Sequence, residues 1–131
     1  MHLRFAALAH ATSVRDALYQ DVLGIFDVLP ASRFPYIRPE TVVAMRLGVT
    51  ADDVGTTLRI RARFVDQDGL RVSREQGTDL AMLSVAGVLE YDVPCSLVLR
   101  NVLFPWPGRY CCVIRGGRGE IGRLPLQLVA E

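Results

Sequence analysis

The sequence predicts an all-β domain, in which two antiparallel sheets of about eight strands pack as an immunoglobulin-like β-sandwich spanning residues 1–131. Three observations carry that expectation. Glycines and prolines punctuate the chain every eight to twelve residues, the turn spacing of such folds. In Thr57 to Val65, Leu58, Ile60, Ala62 and Phe64 alternate with Arg59, Arg61 and Arg63, so one row of side chains faces a core and the other faces water. Finally, 131 residues, 50% of them hydrophobic with a mean hydropathy of +0.25, are enough to build one core without disulfide or metal staples.

The elements follow in order. Leu3 to Ala9 reads as the first strand, a first loop covers Ala11 to Leu18, and Val22 to Leu29 reads as the second strand. Phe34 to Pro39 is held extended by its prolines, and Thr41 to Thr50 follows as a long third strand. Ala51 to Gly55 is a turn before the amphipathic strand, Asp66 to Gly69 is a turn of aspartate-glycine chemistry, and Leu70 to Glu75 returns as the hairpin partner. Leu80 to Glu90 is apolar without a period and reads as irregular chain or a strand, with a short helix as the alternative. Val93 to Leu103 and Arg109 to Arg115 flank Pro107-Gly108, the sequence of a type II turn, with proline preset at its second position and glycine supplying positive φ at its third. That turn would set Trp106 against Arg109, Cys112 against Leu103 and Cys111 against Phe104. Gly116 to Gly119 turns the chain once more, and Ile121 to Val129 closes the sheet.

Gly24-Ile25-Phe26-Asp27, Phe34-Pro35, Leu58-Arg59-Ile60-Arg61, Asp68-Gly69 and above all Phe104-Pro105-Trp106-Pro107-Gly108-Arg109-Tyr110 carry a further signal. The chain resembles, nearly end to end, a family of small bacterial β-sandwich proteins known only as a domain of unknown function. The motifs, GIFD and FPxPGxY, are turns and core positions. The resemblance therefore implies the fold and a bacterial cytosolic setting, and it brings no activity, cofactor or catalytic residue with it. In one place the chain departs from the pattern, because His10 stands where an acidic residue is expected after Ala9.

Charge excludes several functions. Fifteen basic and fourteen acidic residues leave a net charge of +1 and a pI near 7.8, so nothing draws the whole chain to nucleic acid or an anionic membrane. Every basic residue is an arginine, which excludes a Schiff-base or P-loop lysine; a GC-rich coding bias explains this more simply than a demand for guanidinium forks. Three cysteines without CxxC spacing describe neither a disulfide framework nor a zinc site, and the default setting is the cytoplasm. The start MHLRFAALAHA imitates a signal peptide, but its apolar stretch falls short of the roughly 7–15 residues such a leader needs. No apolar run approaches the ~18 residues of a membrane span.

Each candidate site has a plainer reading beside it. Gly117 to Gly122 matches GxGxxG, yet the fingerprint needs a helix at its third glycine inside a βαβ unit, and only nine residues remain; a hairpin turn is the better reading. His2 and His10 lie eight residues apart on one strand, roughly 26 Å if extended, too far to share a metal, and no nucleophile elbow surrounds Ser13. Cys111 and Cys112 alternate inward and outward while Cys95 stays distant, which makes all three structural thiols.

The constellation with chemical content is the ladder Arg59, Arg61 and Arg63, to which Arg46 on the neighbouring strand adds a fourth charge on the same face. Like charges opposed across strands are unfavourable, so Glu75, Glu90, solvent or an acidic partner must compensate them. No aromatic is interleaved, which argues against single-stranded nucleic acid. Trp106, between two prolines at a hairpin tip, packs back on the sandwich end or anchors an interface.

The functional expectation is a non-catalytic module without cofactor or metal. It binds a protein partner or its own copy through Arg46, Arg59, Arg61, Arg63 and Trp106, and is not drawn to membrane or specific nucleic-acid sequence. The alternative is a small-ligand binder or enzyme using the loops near His10, Asp27 and Trp106, against which stands the lack of paired carboxylates.

Overall fold

A computed structural model describes residues 1–16, 19–82, 90–117 and 119–131. Those residues form a nearly all-β structure, with no α-helix among them and one 3-10 turn at Ala51–Asp53. The strands are β1 (His2–Ala9), β2 (Ala11–Arg15), β3 (Tyr19–Leu23), β4 (Val28–Ala31), β5 (Tyr36–Thr50), β6 (Thr57–Asp66), β7 (Gln76–Ala81), β8 (Glu90–Phe104), β9 (Gly108–Gly116) and β10 (Gly119–Ala130). They make a three-stranded sheet ordered β1-β5-β8, a five-stranded sheet ordered β4-β10-β9-β6-β7, and a separate β2-β3 hairpin.

The two larger sheets pack through alternate residues of their strands. Val43, Met45 and Leu47 of β5 and Leu97, Leu99, Val102 and Phe104 of β8 meet Ile60, Ala62 and Phe64 of β6, Cys112 and Ile114 of β9, and Leu126 and Leu128 of β10. The Phe104 ring sits edge-on to both Phe64 and Tyr110, at centroid distances of 5.2 and 5.0 Å, an arrangement that favours the aromatic quadrupoles. Along β8 the buried set is Cys95, Leu97 and Leu99, then Val102 and Phe104. The phase slips by one residue at Asn101, whose φ of 55° is the left-handed conformation that asparagine tolerates better than most residues.

Several elements differ from the sequence expectation, each for a local reason. The first loop is the β2-β3 hairpin, paired from Ala11 with Leu23 to Arg15 with Tyr19. Val22 to Leu29 is not one strand. Gly24, at φ +67° and packed where a Cβ would come within 2.9 Å of His10 Cβ, ends β3. The chain then changes sheets: the Phe26 N–H donates to Leu8 O of β1, and Asp27 O accepts from Gln127 of β10. From there β4 runs parallel to β10, so the sheets are not wholly antiparallel. Leu70 to Glu75 is not a regular hairpin strand, because after Arg71 bridges Val65 the Phe64 N–H donates to the Ser73 hydroxyl at 2.8 Å, and pairing resumes only with β7. The assignment for Leu80 to Glu90 falls mainly on 83–89, outside the described residues.

The largest correction concerns Pro107-Gly108. It does not turn a hairpin: β8 pairs with β5, while β9 lies between β6 and β10 in the other sheet. Cys112 therefore stands opposite Phe64 and Leu124, and Cys111 opposite Val65 and Pro125. Phe104 to Gly108 is a crossing between sheets, clamped by Tyr110, whose hydroxyl donates to Trp106 O at 2.6 Å and accepts from the Trp106 N–H at 3.3 Å. That clamp explains the FPxPGxY spacing, with Phe104 and Tyr110 buried in the core and the segment between them tied to the tyrosine hydroxyl.

Candidate functional site

β6 places Ile60, Ala62 and Phe64 in the core, so its intervening arginines project from the outer face of the five-stranded sheet. Register decides their neighbours. Arg61 stands directly opposite Arg115 of β9, and Arg63 opposite Val113, which on its other side pairs with Arg123 of β10. Arg59 stands opposite Asp79 of β7, a favourable cross-strand pair.

Glu75 lies in the irregular stretch before β7 and is shared by three guanidinium groups: Arg61 at 3.5 Å, Arg63 at 3.8 Å and Arg115 at 3.7 Å. These are ion pairs without good hydrogen bonds. Glu75 Oε2 and the Nε atoms of Arg61 and Arg63 are shielded from water and have no hydrogen-bond partner. Glu120 stands directly opposite Arg115 and is paired with Arg123, so Arg61, Arg63, Arg115 and Arg123 against Glu75 and Glu120 leave two positive charges in excess on this face. Beside them, Gly77 keeps the surface clear. A Cβ there would collide with Ile60 O and come within 2.8 Å of Arg61 Cγ. At the far edge Glu120 accepts two hydrogen bonds from Arg123, at 2.7 and 2.9 Å, and these hold its carboxyl below the ordinary range.

Arg46 does not join this face. It lies on β5 in the other sheet, 3.8 Å from Asp92, which also pairs with Arg4 at 2.6 Å. Arg4 in turn reaches Glu90, and His2 lies 4.0 Å from the same carboxylate. Glu90 thus serves this second network and not the β6 ladder. Arg115 and Arg123 are the charges the sequence reading missed; counting in twos from the core residues Tyr110, Cys112 and Ile114 is the signal that puts Arg115 in the opposite row of β9.

Trp106 is 52% exposed and not packed against the core, because the Tyr110 clamp holds its backbone and leaves the indole outside. Cys95 and Cys112 are buried free thiols, and desolvation pushes them up to about 11 and about 12 respectively. Cys111, by contrast, is partly exposed. Asp27 lines a hollow of about 310 Å³ with Arg109, Tyr110 and Gln127, but His10 and Trp106 do not line it. Among the described residues, no group of three or more His, Cys, Asp and Glu side chains is placed to hold a metal, and no helix is long and apolar enough to cross a membrane.

A family model matches residues 5–129 of the chain. The chain belongs to the Family of unknown function (DUF6941). No curated protein matches it. Among solved structures it is similar to Pseudomonas fluorescens alkylpurine DNA glycosylase AlkC bound to DNA containing an abasic site analog, at 13% identity and a TM-score of 0.41, covering 95% of this chain and 30% of that one. A glycosyl hydrolase family 2 member from Bacteroides cellulosilyticus DSM 14838 aligns at 16% identity and a TM-score of 0.42, over 96% of this chain and 15% of that one. A β-glucuronidase from glycoside hydrolase family 2 aligns at 12% identity and 0.41, over 72% and 11%. The chain spans less than a third of each of these enzymes, and at this similarity they carry no activity across to it.

Proposed function

We propose that the chain is a non-catalytic, cytoplasmic binding module of immunoglobulin-like sandwich architecture, whose arginine-rich sheet face docks an acidic surface of a protein partner. One observation carries this reading: Arg61, Arg63 and Arg115 share Glu75 at 3.5–3.8 Å, too far to use up their N–H donors, so the face has positive charge and donors to spare. Guanidinium forks suit carboxylates in two-pronged contacts, and a charged rim of this kind steers a partner of opposite sign. The Trp106 indole, exposed on a fixed backbone, supplies an apolar anchor of the kind interfaces favour. A second reading, a small-ligand site, rests on the hollow lined by Asp27, Arg109 and Tyr110.

The test uses an extended peptide with glutamates at alternate positions, whose carboxylates repeat every ~6.6–6.8 Å like side chains along one face of a strand. It should bind the wild type, weaken steeply with salt, and lose well over tenfold in affinity when Arg59, Arg61 and Arg63 are all serine, since hydrogen bonds to charged groups each contribute about 1.5–3 kcal/mol. Equal affinity and equal salt dependence in the triple variant would sink the docking face.

A further inference from the structure

We propose that the cradle of Arg61, Arg63 and Arg115 takes the dianionic phosphate of a phosphomonoester, with Glu75 as a resident counter-charge rather than a competing ligand. The proposal rests on the docking reading above and narrows it to one ligand chemistry.

Charge is the first argument. Arg61, Arg63, Arg115 and Arg123 against Glu75 and Glu120 leave two positive charges, and a phosphomonoester carries about −1.5 to −2 at neutral pH, so the dianion neutralises the cradle where one further carboxylate would leave it still positive. Donor geometry is the second. Glu75 stands 3.5–3.8 Å from the three guanidiniums, near enough to lower their mutual repulsion but too far to saturate their N–H groups. The three side chains are about a quarter to a third exposed, so their outer guanidinium N–H groups are open to a ligand, and a phosphate offers three strong acceptor oxygens to such donors. Space is the third. Arg61 and Arg115 are direct cross-strand neighbours, Arg63 follows two residues along the same face, and Gly77 leaves no side chain to displace Arg61. Opposed like charges destabilise a sheet, and Arg61 and Arg115 stand opposed here with Glu75 shared between them and Glu120 on the far side of Arg115.

Three probes, titrated calorimetrically against the folded chain, test the assignment: a phosphoserine peptide, the same peptide with glutamate in place of phosphoserine, and glycerol phosphate. The phosphoserine peptide should bind more tightly than the glutamate peptide. E75Q should raise its affinity about fivefold, the weight of one like charge at ~4 Å in water, while E75D should stay near wild type. R115S should lower it about tenfold or more. If glycerol phosphate binds as tightly as the phosphopeptide, the assignment to phosphate stands and the source is a small ester. Equal binding of the phosphoserine and glutamate peptides overturns the phosphate assignment and leaves the acidic docking face standing. Failure of every probe overturns both. Should E75Q not fold, the R115S comparison decides alone.

Discussion

The two large sheets each carry arginines on an outer surface, and they treat them in opposite ways. On the three-stranded sheet Arg4 and Arg46 meet Asp92 and Glu90, two cations against two anions, with Arg4 reaching Asp92 at 2.6 Å. On the five-stranded sheet Arg61, Arg63 and Arg115 divide Glu75 at 3.5–3.8 Å, and with Arg123 and Glu120 beside Arg115 four cations stand against two anions. The residue type is the same, so composition does not separate these surfaces; the local count of anions does. A balanced network satisfies itself and asks for nothing outside. An unbalanced one is tolerated because it is partly solvated, and on the reading proposed above it would attract an external anion.

The largest effect that can break this contrast lies beneath the cradle. Phe64 is fully buried, edge-on to Phe104, on the strand whose other face displays Arg61 and Arg63. Phe64→Ala should cost about 3–5 kcal/mol in a denaturant melt and remove anion binding together with the fold. A variant that melts within a few degrees of wild type would mean that β6 does not anchor the cradle.

Alkaline pH probes the core next. The Cys112 thiol is pushed up to about 12 by burial and Cys95 to about 11, and desolvation also raises the Tyr110 phenol. For each, the folded state keeps a proton that the unfolded chain releases at its ordinary pKa. Stability is therefore whole below about pH 9 and falls as pH rises from there toward 12. The fold should therefore loosen over that window. C112A should flatten the alkaline limb of a stability profile measured by thermal melting; an unchanged limb would show that the buried thiol does not govern it.

Gly77 gives a smaller and more local effect. Gly77→Ala places a methyl group against Ile60 O and Arg61 Cγ, so backbone or arginine must shift, at a cost of about 1–3 kcal/mol. Phosphopeptide affinity should fall with it, whereas Gly55→Ala, where nothing lies within 4 Å, should leave that affinity alone although it is also strained by its φ of +82°. Equal loss in both variants would assign the effect to general destabilisation.

How much of this was legible in the sequence follows from the range of the forces involved. Within Thr57 to Val65, the alternation of Ile60, Ala62 and Phe64 with Arg59, Arg61 and Arg63 marked the buried and the outward row, because period-two patterning is local. The all-β class was legible for the same reason. Sheet membership was not. Arg46 and Arg59 lie thirteen positions apart, yet they belong to different sheets, and nothing local says that Phe104 to Gly108 crosses between layers instead of turning back. The Tyr110 hydroxyl, four residues from Trp106, ties that crossing down. Glu75 was a named candidate for compensating the ladder, while Arg115 entered the site only through the β6-β9 register, a pairing separated by more than fifty residues.

The smallest effect is the sharpest test, because the two faces should answer with opposite signs. In the balanced network, Arg4→Ser removes a cation from Asp92 and Glu90 and leaves two carboxylates facing one remaining arginine, so the melting temperature should drop, by an amount matching a cost of up to about 1 kcal/mol for partly exposed pairs. In the cradle, Arg115→Ser reduces four cations against Glu75 and Glu120 to three, with Arg61 and Arg63 still sharing Glu75 and Arg123 still paired with Glu120, so the melting temperature should hold or rise slightly. Salt should shrink both differences, since screening weakens attraction and repulsion alike. A fall of equal size in both variants, insensitive to salt, would mean that the arginines act on each face through packing of their stems and that charge balance does not distinguish the two sheets.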